Sequence, residues 1–302
     1  MGTDHRFRHA WEPLISLRIL SVRISYPASF IFSEMDIIGH GIIRRRLSGI
    51  AAVDALPHQA FLFVGPESVG KTLVAREFSG RLLGLDADDP EGAQDFLVIR
   101  PEDGEHKEKK IPVEAIRDAK VFLSRFPAKA KRRVVLVEHA ELLSEQAQNA
   151  LLKLFEEPNG SSVIILVASR SGNIRDTIVS RSFRIAFPLV SEAEIRAGAS
   201  DLPGGGASES LEPFFFALGR PGLVASALTD PKAFSRRRDM LRSLFRLSSL
   251  RFHERLRLSE TLSEDVREAV MLFEWWATGL RALRKDERDP KRLRSYYAFL
   301  DD

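Results

Sequence analysis

A glycine-rich stretch that ends in a lysine and a threonine carries the clearest chemical signature in this chain. Its residues are Gly65, Pro66, Glu67, Ser68, Val69, Gly70, Lys71 and Thr72. They fit the P-loop pattern of a glycine, four residues and then Gly-Lys-Ser/Thr. Backbone N–H groups of such a loop cradle phosphates, Lys71 supplies positive charge to the β- and γ-phosphates, and Thr72 supplies a hydroxyl ligand to Mg²⁺. The stretch therefore predicts binding of ATP or ADP with Mg²⁺.

The flanking residues provide the strand and the helix that a P-loop requires. The apolar run 61–64 precedes the loop, and helix-forming residues follow it to about position 83. Further apolar runs lie at 96–99, 134–137 and 163–167, and a short strand is expected at 184–187, with segments of helical periodicity between them. Apolar strands that alternate with helices predict an α/β fold with a parallel sheet covered on both faces.

Composition excludes several classes of function. The 302 residues are 44% hydrophobic and 29% charged, which is typical of a globular protein, and none is cysteine. Disulfides, thiolate chemistry and cysteine-ligated zinc are therefore excluded, and no zinc is expected. The net charge of +3 does not require a nucleic-acid partner. No apolar run approaches the roughly 20 residues of a membrane span, and the composition is compatible with a cytoplasmic protein.

The first 34 residues differ from the rest, because arginines alternate with aromatic and aliphatic residues and few acids are present. A transit peptide or a membrane-surface helix has such a composition. Patterned sequence begins only after Met35, so we expect residues 1–34 to be a non-native or disordered extension.

A second candidate group follows the apolar run 134–137. A P-loop ATPase holds the Mg²⁺ shell with an Asp after a buried strand, whereas here the next residues are Glu138 and His139. Glu138 could reach a metal through water. His139 is a poor geometric replacement for a water-activating carboxylate, and we interpret it as a solvent-facing loop residue. This pair predicts weak or absent hydrolysis.

Two further motifs carry a family resemblance. Residues 149–158 read N-A-L-L-K-L-F-E-E-P, and Ser180-Arg181-Ser182 follows. The chain resembles the clamp-loader branch of AAA+ proteins, whose pattern is an N-A-L-L-K-x-x-E-E-P helix followed by an S-R-C box, with Ser182 in place of the cysteine. Residues 35–230 are similar to the bacterial DNA polymerase III delta-prime family, and the remainder matches only in being helical.

The resemblance implies an architecture and roles for individual residues. It implies an AAA+ P-loop domain over 35–188, a small helical lid over 189–232 and a helical C-terminal collar over 233–302. Arg181 would be an arginine finger that acts in trans on the nucleotide of a neighbouring subunit. Ser169 would lie near the γ-phosphate. In motor subunits an arginine of the second domain senses the nucleotide. Arg220 does not fall at the position of that arginine in the sequence, and we interpret it as a surface residue.

The resemblance also implies a role and partners. The chain would be a largely static subunit of the bacterial sliding-clamp loader, and its partners would be the motor (gamma/tau) and delta subunits. It would meet the sliding clamp and primer-template DNA through that complex, with no membrane partner. An active ATPase motor of the loader and an unrelated nucleotide-binding AAA+ regulator remain alternatives. Basic residues in the segment 129–133 could touch DNA phosphates, although a solvated loop is the simpler interpretation.

Overall fold

The computed structural model describes residues 37–85, 90–103, 109–156, 160–169, 171–199, 219–229 and 250–264, together with residues 235, 239, 247, 269–270, 273 and 276–277. The predicted extension over 1–34 lies outside the described residues, and so does most of the predicted collar.

Five strands form one parallel sheet. The strands of the described residues are β1 (Ala60–Val64), β2 (Phe96–Ile99), β3 (Glu102–Asp103), β4 (Lys109–Lys110), β5 (Arg133–Val137), β6 (Ser162–Ala168) and β7 (Phe183–Ala186). The sheet order is β2-β5-β6-β1-β7, and every pair in it is parallel. Strands β3 and β4 pair separately as a short antiparallel ribbon. The prediction of an α/β fold with a parallel sheet is confirmed.

Helices connect the strands and cover the sheet. Those of the described residues are α1 (Gly41–Ala51), α2 (Lys71–Leu83), α3 (Val113–Leu123), α4 (Glu145–Glu156), α5 (Asp176–Arg181), α6 (Glu192–Ala199), α7 (Pro221–Thr229), α8 (Phe252–Glu264) and a short 3₁₀ helix at Ala140–Leu142. None of these helices is long and apolar enough to span a membrane. The boundaries of the lid and the collar stay predictions.

Alternate residues of the strands supply two separate halves of the core. Phe61 and Phe63 are fully buried and pack on the side of α2, where they contact Phe78 at ring-centroid distances of 5.1 and 6.3 Å. Leu62 belongs to the opposite half, which contains α3 and α4. Successive side chains of a strand point to opposite faces, so the continuous apolar runs follow from a sheet that is buried on both sides.

The basic segment before β5 is largely structural. Arg132 is 6% exposed and donates to the carbonyls of Val53 and Asp54 at 2.6 and 2.8 Å. Arg133 is 8% exposed and donates to the Phe122 carbonyl at 2.9 Å. Both guanidinium groups therefore bind backbone carbonyls of other segments of the fold. The interpretation of the segment as a solvated loop is wrong for these two residues.

Candidate functional site

The P-loop connects the end of β1 to the start of α2, as the sequence predicted. Its first glycine lies against Phe187, the residue that follows β7, because a Cβ at Gly65 would be 2.3 Å from the Phe187 carbonyl oxygen. Ser68 and Gly70 have φ angles of 61° and 100°, in the left-handed region. Gly70 is the N-cap of α2 and contributes no side-chain cap. The N–H groups of the first helical turn therefore remain available to an anion, which the helix dipole also favours.

His40 fixes the middle of the loop from outside. Its Nε2 donates to the Val69 carbonyl at 2.9 Å, and its ring lies edge-on to Phe187 with centroids 5.0 Å apart. Burial lowers the pKa of His40. The Val69 carbonyl requires a proton on Nε2, which the neutral Nε2–H tautomer supplies. His40 is therefore a positioning residue of the P-loop.

Lys71 is folded back onto the loop that carries it. Its Nζ donates to the carbonyls of Gly65 and Pro66 at 2.7 and 2.5 Å, and only 7% of the residue is exposed. Burial lowers the Lys71 pKa to about 8, although the carboxylates of Glu141 and Glu67 oppose this shift. The ammonium group thus lies in the P-loop, where it can transfer from carbonyl oxygens to phosphate oxygens.

Arg220 lies beside the loop, and its interpretation as a surface residue is wrong. It is only 2% exposed, and burial lowers its pKa to about 10 while Glu67 opposes the shift. The start of α7 brings it there, because the Gly222 N–H donates to the Ser68 carbonyl at 2.9 Å. A second cationic side chain thus adds to the positive charge of Lys71 near the loop.

Glu138 follows β5 as predicted, but two arginines hold its carboxylate. Arg76 of α2 donates to Oε1 at 3.1 Å, and Nε of Arg100 lies 3.4 Å from Oε2. Arg76 also donates to Glu91 at 2.7 Å, and its side chain is only 5% exposed. This network neutralises Glu138 and occupies both of its oxygens.

Ser169 and His139 both lie close to Glu141. The Ser169 hydroxyl, at the end of β6, donates to Glu141 Oε1 at 2.6 Å, and Nδ1 of His139 lies 3.7 Å from the same oxygen. Burial alone would raise the Glu141 pKa, but the interactions with His139 and Ser169 outweigh it and lower the pKa to about 2. His139 is 31% exposed at its side chain, so it is half-buried in this cluster, and its interpretation as a solvent-facing loop residue is wrong.

Arg181 ends α5 at a distance from the P-loop. Its side chain is 46% exposed, its Nη1 donates to the Thr177 carbonyl at 3.3 Å, and its Nη2 lies 3.8 Å from Glu156. It lines a cavity of about 440 Å³ together with Gln59 and Ala60, at the start of β1. The P-loop follows the opposite end of that strand, and five residues of strand span about 16 Å. Arg181 therefore faces away from the P-loop of its own chain.

The parallel sheet of order β2-β5-β6-β1-β7, with a P-loop after its inner strand β1, defines an AAA+ P-loop domain. The family model described as DNA polymerase III, delta subunit matches residues 40–191. The chain therefore belongs to this family.

The chain is also similar to individual proteins. DNA polymerase III subunit delta′ of Pseudomonas aeruginosa is 32% identical over 187 residues, which cover 56% of this chain and 55% of that protein. A replication factor C small subunit of Natronomonas pharaonis is 29% identical, over 53% of this chain and 46% of that protein. A DNA polymerase III, gamma subunit-related protein of Thermotoga maritima has a solved structure with a TM-score of 0.46 and 22% identity, covering 85% of this chain and 90% of that chain. The chain spans about half the length of the curated relatives it matches.

Sequence reasoning missed three arginines of this site. Arg220 is buried next to the loop, and Arg76 and Arg100 hold Glu138. A signal was available for Arg76. It lies four residues after Thr72 in the helix predicted there, and residues at this spacing lie on the same face of a helix. No local pattern points to the other two, since both come from elements remote in sequence.

Proposed function

We propose that this protein is a subunit of the bacterial sliding-clamp loader that binds nucleotide, hydrolyses it poorly and supplies Arg181 to the nucleotide site of a neighbouring subunit. The observation that carries the proposal is the combination of an intact P-loop with a Glu138 carboxylate that Arg76 and Arg100 already hold. Membership of the DNA polymerase III delta subunit family supports the setting in DNA replication.

The residues of the loop fit a nucleotide phosphate chain. An uncapped α2 N-terminus, Lys71 and the nearby Arg220 together favour polyanion binding. A Cβ at Gly70 would meet nothing within 4 Å, so space is open on this side of the loop. The Thr72 hydroxyl in the first turn of α2 is the group that would ligate Mg²⁺, and bound Mg²⁺ supplies charge neutralisation for the phosphates.

The residues fit hydrolysis poorly. Recruiting Glu138 to a metal shell would require breaking its contacts with Arg76 and Arg100. Arg76, whose side chain is only 5% exposed, would keep Glu91 as a partner but lose Glu138, and removing a partner from a buried charge is destabilising. The next residue is His139, which lies 3.7 Å from Glu141 and offers an imidazole in place of a water-activating carboxylate. Slow turnover is the expected consequence.

Arg181 supports a role in trans. It is exposed, weakly paired and on the far side of β1 from its own P-loop. A guanidinium group supplied by a neighbour stabilises charge on a transferring phosphoryl group and makes hydrolysis depend on assembly. The proposed partners are the gamma/tau and delta subunits, with the sliding clamp and primer-template DNA reached through the complex, in the cytoplasm.

Binding and turnover by the isolated chain test the proposal. Fluorescent ADP and ATP should bind with Mg²⁺, and phosphate release should be close to background. Lys71→Ala should abolish binding, whereas Lys153→Ala, at an exposed lysine of α4, should leave it unchanged. Robust hydrolysis by the wild-type chain that disappears in Lys71→Ala would replace this proposal with an active motor subunit. Failure to bind any nucleotide would leave only the arginine-supplying role.

A further inference from the structure

Three side chains that can ligate a metal ion converge beside the P-loop. Glu67, His139 and Glu141 each offer one ligand atom, and these atoms all lie within 4.8 Å of one another. Glu67 belongs to the P-loop, and the other two follow β5. We propose that they form a binding site for a divalent transition-metal ion of the zinc type, separate from the Mg²⁺ that Thr72 would hold with a nucleotide.

A buried oxygen without a partner is the second observation that supports the site. The Glu141 side chain is only 10% exposed, and its Oε2 is buried with no hydrogen-bond partner. Its Oε1 accepts from Ser169 at 2.6 Å. A buried carboxylate oxygen that lacks a partner is costly, and a cation would provide the missing interaction. Ser169 then positions the ligand through the oxygen that it already holds.

The chemistry of the three groups selects the class of ion. Imidazole nitrogen favours zinc and neighbouring first-row metals over Mg²⁺ or Ca²⁺, and carboxylate oxygens complete such sites. The absence of cysteine led to the expectation of no zinc, but one histidine and two carboxylates are sufficient ligands. Three protein ligands leave a fourth position open for water.

Charges of both signs surround the proposed metal site. Two carboxylates, those of Glu67 and Glu141, influence the pKa of Lys71, whose ammonium group donates to carbonyls of the loop. A dication would be attracted by the two carboxylates and repelled by the ammonium group of Lys71.

Metal titration of the full chain without nucleotide tests the site. Co²⁺ should produce visible absorption that saturates at one equivalent, and Zn²⁺ should displace it. His139→Ala and Glu141→Gln should each weaken Zn²⁺ binding by more than about 100-fold, and Ser169→Ala by about 10-fold, as expected when a group that orients a metal ligand is removed. His253→Ala and Glu145→Gln change exposed residues and should leave the affinity unchanged.

Either of two results would overturn the proposal. One is no saturable binding by the wild-type chain. The other is binding that the site variants and the control variants retain equally, which would place the metal elsewhere. If His139→Ala fails to fold, Glu67→Gln provides the same comparison, and Zn²⁺ should raise the melting temperature of the wild-type chain but not of this variant. Because no nucleotide is present, the outcome is independent of the proposed function.

Discussion

Nucleotide binding should weaken as the pH rises above 8, because Lys71 loses its proton there. Burial lowers the pKa of this ammonium group to about 8 in the nucleotide-free chain. Phosphate oxygens stabilise the charged form, so the pKa is higher in the complex and binding is strongest below pH 8. Glu141 is already ionised in this range, and Arg220, with a pKa of about 10, stays mostly protonated.

The size of the effect follows from that pKa. Between pH 7 and pH 9 the protonated fraction of Lys71 falls from about nine-tenths to about one-tenth, so the apparent affinity should fall about 10-fold, or about 1.4 kcal/mol. At pH 8 each binding event should take up about half a proton. Calorimetric titration with ADP and Mg²⁺, repeated in two buffers that have different ionisation enthalpies, measures both quantities.

A lysine that titrates elsewhere in the chain would give the same trend, so a matched variant is needed. In Lys71→Arg the side chain stays charged through this range, and any residual binding should be independent of pH between 7 and 9. An affinity for the wild-type chain that is constant over this range, without proton uptake at pH 8, would refute the assigned pKa and the direct role of the ammonium group.

Two further outcomes are expected. Arg181→Ala should leave the fold and nucleotide binding of this chain unchanged, since its contact with Glu156 is long and exposed. The same change should lower the clamp- and DNA-stimulated ATPase activity of a reconstituted loader: one site can lose about 10³-fold, and the total rate falls by less. Unchanged hydrolysis would show that Arg181 is only a surface residue. Asp95→Ala should lower the free energy of unfolding by about 3–5 kcal/mol, measured by urea titration. Asp95 is only 2% exposed and lies 3.3 Å from Arg133, and its carboxylate accepts hydrogen bonds from the N–H groups of Ala128, Lys129 and Ala130. A loss below about 1 kcal/mol would contradict this reasoning.

The strands and the P-loop could be predicted because local patterns determine them. Each apolar run became a strand of the sheet, and the Gly-rich stretch became the turn before α2. The positions of Arg100 and Arg220 could not be predicted, because their partners come from distant elements. Arg220, for example, is buried only because α7 docks on the loop through Gly222 and Ser68. The local sequence around a charged residue does not show whether a distant element will bury it in the fold.

The close approach of Gly65 to Phe187 ties the first glycine of the P-loop to folding as well as to phosphate binding. A Cβ at Gly222 would likewise be 2.9 Å from the Ser68 carbonyl oxygen. Descendants of this chain that stopped binding nucleotide would therefore still retain both glycines under selection for folding alone. Lys71 has no such protection, since burial disfavours its charged form. Along a diverging lineage, replacement of the lysine rather than of the glycines would mark the point at which nucleotide binding was abandoned.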